Sequence, residues 1–259
     1  MKRKIAFIVA SALLTVTGTT GALAQGSPAW KLVPVDLWAC NLNDRRDMSD
    51  LDAWVQKFNA WADQQENDTY AAWTATPSYF GPDQDFDFLW LGAWIDANAM
   101  GQGWDLWNAT NNGLMREFQS IVTCDTHANF ASAAYRLPQG MDNSGTGILT
   151  VSDCKRKHGV PGSAVDQAMR KWVDILDEAG SQVALYHWYP VFGGGGAEFN
   201  YKEVSAYQNY AQLGADYERM GNGGLFRQGQ ALFDHLVECD EARVYNVQSR
   251  RFVNVRAGQ

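Results

Sequence analysis

Apolar residues recur at i, i+3, i+4 and i+7 in two stretches of the chain, and the stretches match position for position. The first is Leu51, Trp54, Val55, Phe58, Trp61, Ala62; the second is Val165, Ala168, Met169, Trp172, Ile175, Leu176, each 114 positions later. Both predict amphipathic helices with one buried stripe. Ser49-x-x-Asp52 and Ser163-x-x-Asp166 read as capping-box starts, and Asn67-Asp68 and Ala179-Gly180 read as ends. A strand is expected before each helix, Val35 to Leu42 and Ile148 to Lys155. After each comes an aromatic β-prone run, Tyr70 to Tyr79 and Gln182 to Phe192, then a turn at Gly81-Pro82-Asp83 or Gly193 to Gly196. Period 2 then takes over: Phe86, Phe88, Trp90 and Trp94 alternate with smaller residues, as do Phe199, Tyr201, Glu203, Ser205 and Tyr207. A helical region broken at Asn112-Gly113 or Gly223-Gly224 follows, and a last strand starts at Val122 or Leu236.

The four cysteines fall into the same repeat. Val122-Thr123-Cys124-Asp125 returns as Val237-Glu238-Cys239-Asp240, and Cys40 lies 114 positions before Cys154. One unit is used twice. The division is residues 1–24 as a secretory signal, 25–137 and 148–259 as the copies, and 138–147 as a linker rich in Gly, Asn, Asp and Ser. The signal reading rests on Lys2-Arg3-Lys4, the apolar run Ile5 to Leu14, too short to span a bilayer, and Ala22-Leu23-Ala24 as a cleavage site. Export to the periplasm or the medium follows from it, with no membrane insertion after cleavage and disulfides as the use of the cysteines. Removing the signal takes away three positive charges and no acid, moving the net charge from −8 to −11. Such a balance opposes nucleic acid and anionic membrane as partners. Eleven Trp, ten Tyr and twelve Phe supply a large core.

The order in each copy is strand, helix, strand, strand, helix, strand, which resembles the ferredoxin-like split βαβ unit. Two such copies in tandem resemble the dimeric α/β-barrel superfamily. The resemblance implies an α+β fold: an internal pseudo-dimer of antiparallel sheets with helices on one face, the helix-free faces packed together. It implies that the first and fourth strands of a copy are neighbours, hence bridges Cys40–Cys124 and Cys154–Cys239. Members of the superfamily include cofactor-free monooxygenases, haem-degrading enzymes and haem-using enzymes such as chlorite dismutase. A haem enzyme of this kind needs an axial histidine, for which His127, His158, His187 and His235 are the candidates. No haem or other cofactor is assigned.

The aromatic rows are expected to face the space between the sheets. Trp73, Phe88, Trp90, Trp94, Tyr189, Tyr201 and Tyr207 are the candidate ligand-binding residues. If the second hairpin sets His187 opposite Glu203, an imidazole–carboxylate pair arises where the first copy is expected to carry Trp73 and Trp90. A carboxylate beside an imidazole holds its tautomer and raises its basicity, which makes His187 and Glu203 the candidates for acid–base work. Gly193 to Gly196 lacks the Lys-Ser/Thr of a phosphate loop and reads as a hairpin tip, and Cys124-x-x-His127 reads as disulfide use rather than the start of a metal site. The leading expectation is therefore a small apolar or aromatic ligand bound between the sheets without catalysis. The alternatives are a cofactor-free or haem-assisted oxidoreductase using His187 and Glu203, and a structural module with no pocket.

Overall fold

The computed structural model describes residues 31–82, 84–139 and 145–254. The proposed signal at 1–24 and residues 140–144 of the proposed linker lie outside the described residues. The elements are β1 (Val33–Leu42), α1 (Met48–Gln64), β2 (Tyr70–Tyr79), β3 (Phe88–Trp94), α2 (Ala97–Thr110), α3 (Leu114–Ile121) and β4 (Val122–Arg136) in the first half. The second half holds β5 (Thr146–Arg156), α4 (Gly162–Glu178), β6 (Ala184–Phe192), β7 (Tyr201–Tyr207), α5 (Tyr210–Gly221), α6 (Leu225–Phe233), β8 (Val237–Cys239) and β9 (Arg243–Arg251). No described helix is long and apolar enough to cross a membrane.

All ladders are antiparallel, in the order β7-β6-β4-β1-β3-β2-β9-β5-β8, and β5 also pairs with β7. That last pairing closes the sheet into an eight-stranded barrel, with β8 paired to one end of β5. The chain is thus α+β, but the expected pair of facing sheets is one continuous sheet. β4 pairs with β6 and β2 with β9, so the edges that would remain open in a single half are hydrogen-bonded to the other half. The expected single last strand of the second half is divided at Asp240, whose backbone N–H donates to Asp153 O and whose carboxylate accepts from Asp153 N.

Both cysteine pairs meet across a ladder. Cys40 is opposite Cys124 and Cys154 opposite Cys239, and each pair is bridged. Two disulfides are the cysteine usage of an oxidising compartment.

The helix starts differ from expectation. Asp47, not Ser49, caps α1: its carboxylate accepts from Ser49 N at 2.8 Å and Asp50 N at 3.3 Å, while Asp50 reaches back to Asp47 N at 3.1 Å. α4 follows Pro161 and has no side-chain cap; Asp166 accepts instead from Tyr135 Oη at 2.6 Å. An acid two residues earlier and a tyrosine reaching in from β4 outcompete the serines.

The two faces of the sheet take different side chains. The barrel interior takes Val33, Val35, Leu37, Leu89, Leu91 and Val204 together with Phe130, Trp188 and Tyr245. In the outer layer, under the helices, Phe88, Trp90 and Trp94 pack with α1, α2 and α3, and Tyr189, Tyr201 and Tyr207 lie on the same outer side of the second half. These six were expected between the sheets and are not there. Trp73 does face the barrel.

Replacing Cys154 and Cys239 by serine is expected to cost about 2–4 kcal/mol. The loss will read as a lower urea midpoint, and an unchanged midpoint would show that the bridge constrains nothing.

Candidate functional site

The register of β2 against β3 settles where the halves differ. Trp73 is opposite Leu91, and Thr74 is opposite Trp90. The expected Trp73–Trp90 pair does not form, because the offset between copies drops to 113 at β2 (187 − 74) and one residue exchanges the faces. The second half places His187 opposite Glu203. His187 is fully buried, and its ring stacks on Tyr201 with centroids 4.0 Å apart. Its Nδ1 lies 3.3 Å from Tyr189 Oη, which lies 3.3 Å from Tyr135 Oη. Nε2 has no hydrogen-bond partner and sits 3.9 Å from Glu203 Oε2. Burial above all raises the phenols of Tyr135 and Tyr201, so both phenols are held neutral.

The first half carries a different arrangement. A cavity of about 70 Å³ lies between its sheet and helices. Seven tryptophans line it: Trp38 from β1, Trp54 and Trp61 from α1, Trp90 and Trp94 from β3, Trp104 and Trp107 from α2. Two glycines make room for these rings. A Cβ on Gly103 would lie 2.1 Å from Trp94 Cζ3, and one on Gly92 would lie 2.2 Å from Tyr70 Oη. Trp38, Trp104 and Met115 are the half-buried members of the lining and form its outer wall.

Beside this cavity a carboxylate is buried. Asp36 of β1 is 2 % exposed. The Trp94 indole N–H donates to its Oδ2 at 2.9 Å and the Asn129 amide to its Oδ1 at 2.9 Å. His127 Nε2 lies 3.9 Å from Oδ1, and the His127 ring stacks on Trp38 with centroids 3.6 Å apart. Burial lowers the His127 pKa, with the Asp36 charge opposing, so the imidazole is biased towards its neutral, proton-accepting form. Burial first, and the Asp36 charge second, push the Tyr70 phenol well above its ordinary value. Asp36 was missed by sequence reasoning. The signal was an acid inside the apolar run Val33-Pro34-Val35-Asp36-Leu37-Trp38.

The barrel itself opens into a cleft of about 1180 Å³ at the end that carries both hairpin loops, around Tyr79 to Phe86 and Gly193 to Phe199. Phe86, Phe130, Trp188, Phe199 and Tyr245 supply rings to it, with Tyr79 and Phe80 beside them. Lys202 Nζ lies 4.3 Å from the Phe199 centroid and pairs with Asp153 Oδ1 at 2.5 Å. Of the sequence-predicted residues, Trp90 and Trp94 line the aromatic cavity, and none lines the cleft.

A haem has no fitting place among the described residues. The orphan Nε2 of His187 has the right chemistry, but the Tyr201 ring, Tyr135 and Glu203 occupy its surroundings. The ring of His127 is stacked on Trp38, and His158 and His235 are exposed. The cleft has the volume but no histidine in its lining, and burial raises the Tyr245 phenol, which opposes a tyrosinate ligand.

No family model matches the chain, and no curated protein matches it in sequence. Solved structures do match in shape. A candidate monooxygenase from Lactobacillus acidophilus NCFM aligns with a TM-score of 0.55 and 8 % identity over 86 % of this chain and 96 % of that one. A haem-binding protein from Thermus thermophilus gives 0.51 and 8 % over 84 % and 91 %. A chlorite dismutase variant from Candidatus Nitrospira defluvii gives 0.51 and 11 % over 83 % and 90 %. At such identities these likenesses establish the fold, and fold does not select an activity.

Gly103→Ala is expected to push Trp94 out of place and cost about 1–3 kcal/mol, with a changed near-ultraviolet circular dichroism signal from the indoles. Gly101→Ala, in open space on the same helix, is expected to stabilise by roughly 0.5–1 kcal/mol. Equal effects would remove the steric argument. The lowered His127 pKa means that the folded state binds fewer protons than the unfolded one, so the stability it contributes is present above the unfolded value of about 6.5 and is lost as pH falls through it. His127→Gln is expected to flatten the change in urea midpoint between about pH 7 and pH 5.

Proposed function

We propose that the chain binds a small, largely apolar molecule in the cleft at the mouth of the barrel. The observation that carries this reading is a cavity of about 1180 Å³ built from both halves, in which aromatic walls stand beside polar groups such as Asn41, Gln84, Asp125, Lys202 and Arg243. Its size lies just above the roughly 300–1,000 Å³ typical of small-molecule sites. The apolar floor at Leu37, Leu89 and Val151 holds a hydrophobic body, and Lys202, Gln84 and Arg243 offer orienting hydrogen bonds. We read the scaffold as two tandem ferredoxin-like copies, supported by the order β4-β1-β3-β2 in one half and β9-β5-β7-β6 in the other. We read it as an exported chain, supported by its disulfides.

A second reading is an oxidoreductase of the cofactor-free kind. It is supported by what the monooxygenase neighbour is described as doing and, in this chain, by Asp36 and His127. A neutral, half-exposed imidazole backed by a buried carboxylate is placed to take a proton from an electron-rich hydroxyl compound lying against Trp38. The anion so formed would give two electrons to dioxygen and become the quinone-type product, and both protons, the one held on His127 and the substrate's second, would leave with the reduced oxygen as hydrogen peroxide. In this reading His127 replaces His187, whose complete burial denies it a substrate, and Glu203 is left without a proton-transfer partner in contact with substrate.

Two measurements separate the readings. Calorimetric titration with a naphthalene-sized aromatic probe is expected to show saturable binding that Thr126→Trp, at the cleft wall, weakens about tenfold or more; binding indifferent to that change would sink the first reading. Oxygen uptake with a panel of hydroquinones should fall by about 10² or more in His127→Gln if the second holds, and no uptake by the unmodified chain would end it.

A further inference from the structure

The tryptophan-lined cavity of the first half is not absorbed by either reading as a binding site. It is small: about 70 Å³, roughly half of the 150 Å³ at which an engineered apolar cavity takes up benzene. A compact guest fits and an aromatic ring does not. The chemistry of the walls then decides which compact guest.

The walls offer a guest almost no polar surface. Four of the lining indoles spend their N–H groups on the protein: Trp54 on Leu114 O at 2.9 Å, Trp61 on Thr110 O at 3.0 Å, Trp90 on Tyr70 Oη at 2.9 Å and Trp94 on Asp36 Oδ2 at 2.9 Å. What these indoles leave to the cavity is ring surface, and tryptophan is the side chain whose face attracts a cation most strongly. An N–H donated to a carboxylate increases the electron density of its ring, so Trp94 is the most attractive of the four.

The second observation is the charge behind that wall. The groups that meet Asp36 are the neutral indole of Trp94, the neutral amide of Asn129 and an imidazole biased towards neutrality. A buried carboxylate without a cation is costly, and a positive guest on the far side of the Trp94 ring offsets that cost. The chain as a whole is acidic, with a net charge of −8, which favours cations over anions at every approach. Entry is past the half-buried Trp38, Trp104 and Met115.

We infer that the aromatic cavity between the first half's sheet and its helices is a site for a small methylated ammonium group. Methylammonium chloride is the probe, titrated into the purified full chain at constant ionic strength and followed by tryptophan fluorescence and calorimetry. Methanol, of similar size and no charge, is the comparison. Saturable binding of the cation, at least about tenfold tighter than the alcohol, is expected. Asp36→Asn should weaken the cation by about tenfold and leave the alcohol unchanged; Trp104→Ala, at the outer wall, should weaken it as well and serves if the Asp36 variant does not fold. Equal binding of cation and alcohol would reduce the site to an apolar void. No saturable binding of the cation, or binding indifferent to Trp104→Ala, would overturn the assignment outright.

Discussion

The architecture depends on the two seams where the halves join edge to edge. At one, β4 pairs with β6; at the other, β2 pairs with β9. An arginine clamps each. Arg136, at the end of β4, crosses to the second half, where its guanidinium donates to Asp177 Oδ1, Ser181 O and Val183 O. Arg251, at the end of β9, crosses to the first half and donates to Asp63 Oδ1 and Asn67 O. Both guanidiniums are buried, and both finish where a helix of the opposite half ends. Arginine suits this position because its fork satisfies a carboxylate and helix-end carbonyls together. The seams hold because the polar groups of two strand edges and two helix ends are answered there at once.

Closure also gives the sheet two faces that both hold rings. The interior keeps valines and leucines together with Phe130, Trp188 and Tyr245, while Phe88, Trp90 and Trp94 lie in the layer under the helices. The aromatic alternation at β3 was plain in the sequence, and its period did give a strand. Period 2 states that alternate residues share a face without stating which face is inside. Ring size does not decide it either, because rings occupy both faces.

The element order was readable because it depends on spacing along the chain, and the cysteine partners because the strand order that the sequence resembles sets the first and fourth strands side by side. The cross-strand pair at Trp90 was not. Between α1 and β2 the second copy is one residue shorter relative to the first, and a single residue exchanges the faces of a strand. Trp73 therefore enters the barrel and Thr74 takes the position that corresponds to His187. Asp36 escaped for another reason. Its partners Trp94 and Asn129 lie 58 and 93 positions away, and no local pattern announces a contact of that range.

The polar chemistry of the two halves is mutually exclusive, position by position. Asp36 and Asn129 stand opposite one another in the first half, and the matching pair in the second is Thr150 and Val244. His187 and Glu203 stand opposite one another in the second half, and the matching pair in the first is Thr74 and Trp90. Each half thus keeps one buried charged or orphaned group in its outer layer, at different places in the same framework. A core selected for stability alone would keep neither. The void beside Asp36 costs about 2 kcal/mol at roughly 24 cal/mol per Å³ of cavity, and one methyl group in place of a hydrogen at Gly103 would collide with Trp94 rather than fill it. Four of the seven indoles are held in place by their own hydrogen bonds, each to an acceptor of the protein. A void kept open by satisfied donors, next to a carboxylate met by neutral groups, is an arrangement whose cost a ligand offsets. That places ligand recognition in the outer layer of the first half as well as in the mouth of the barrel.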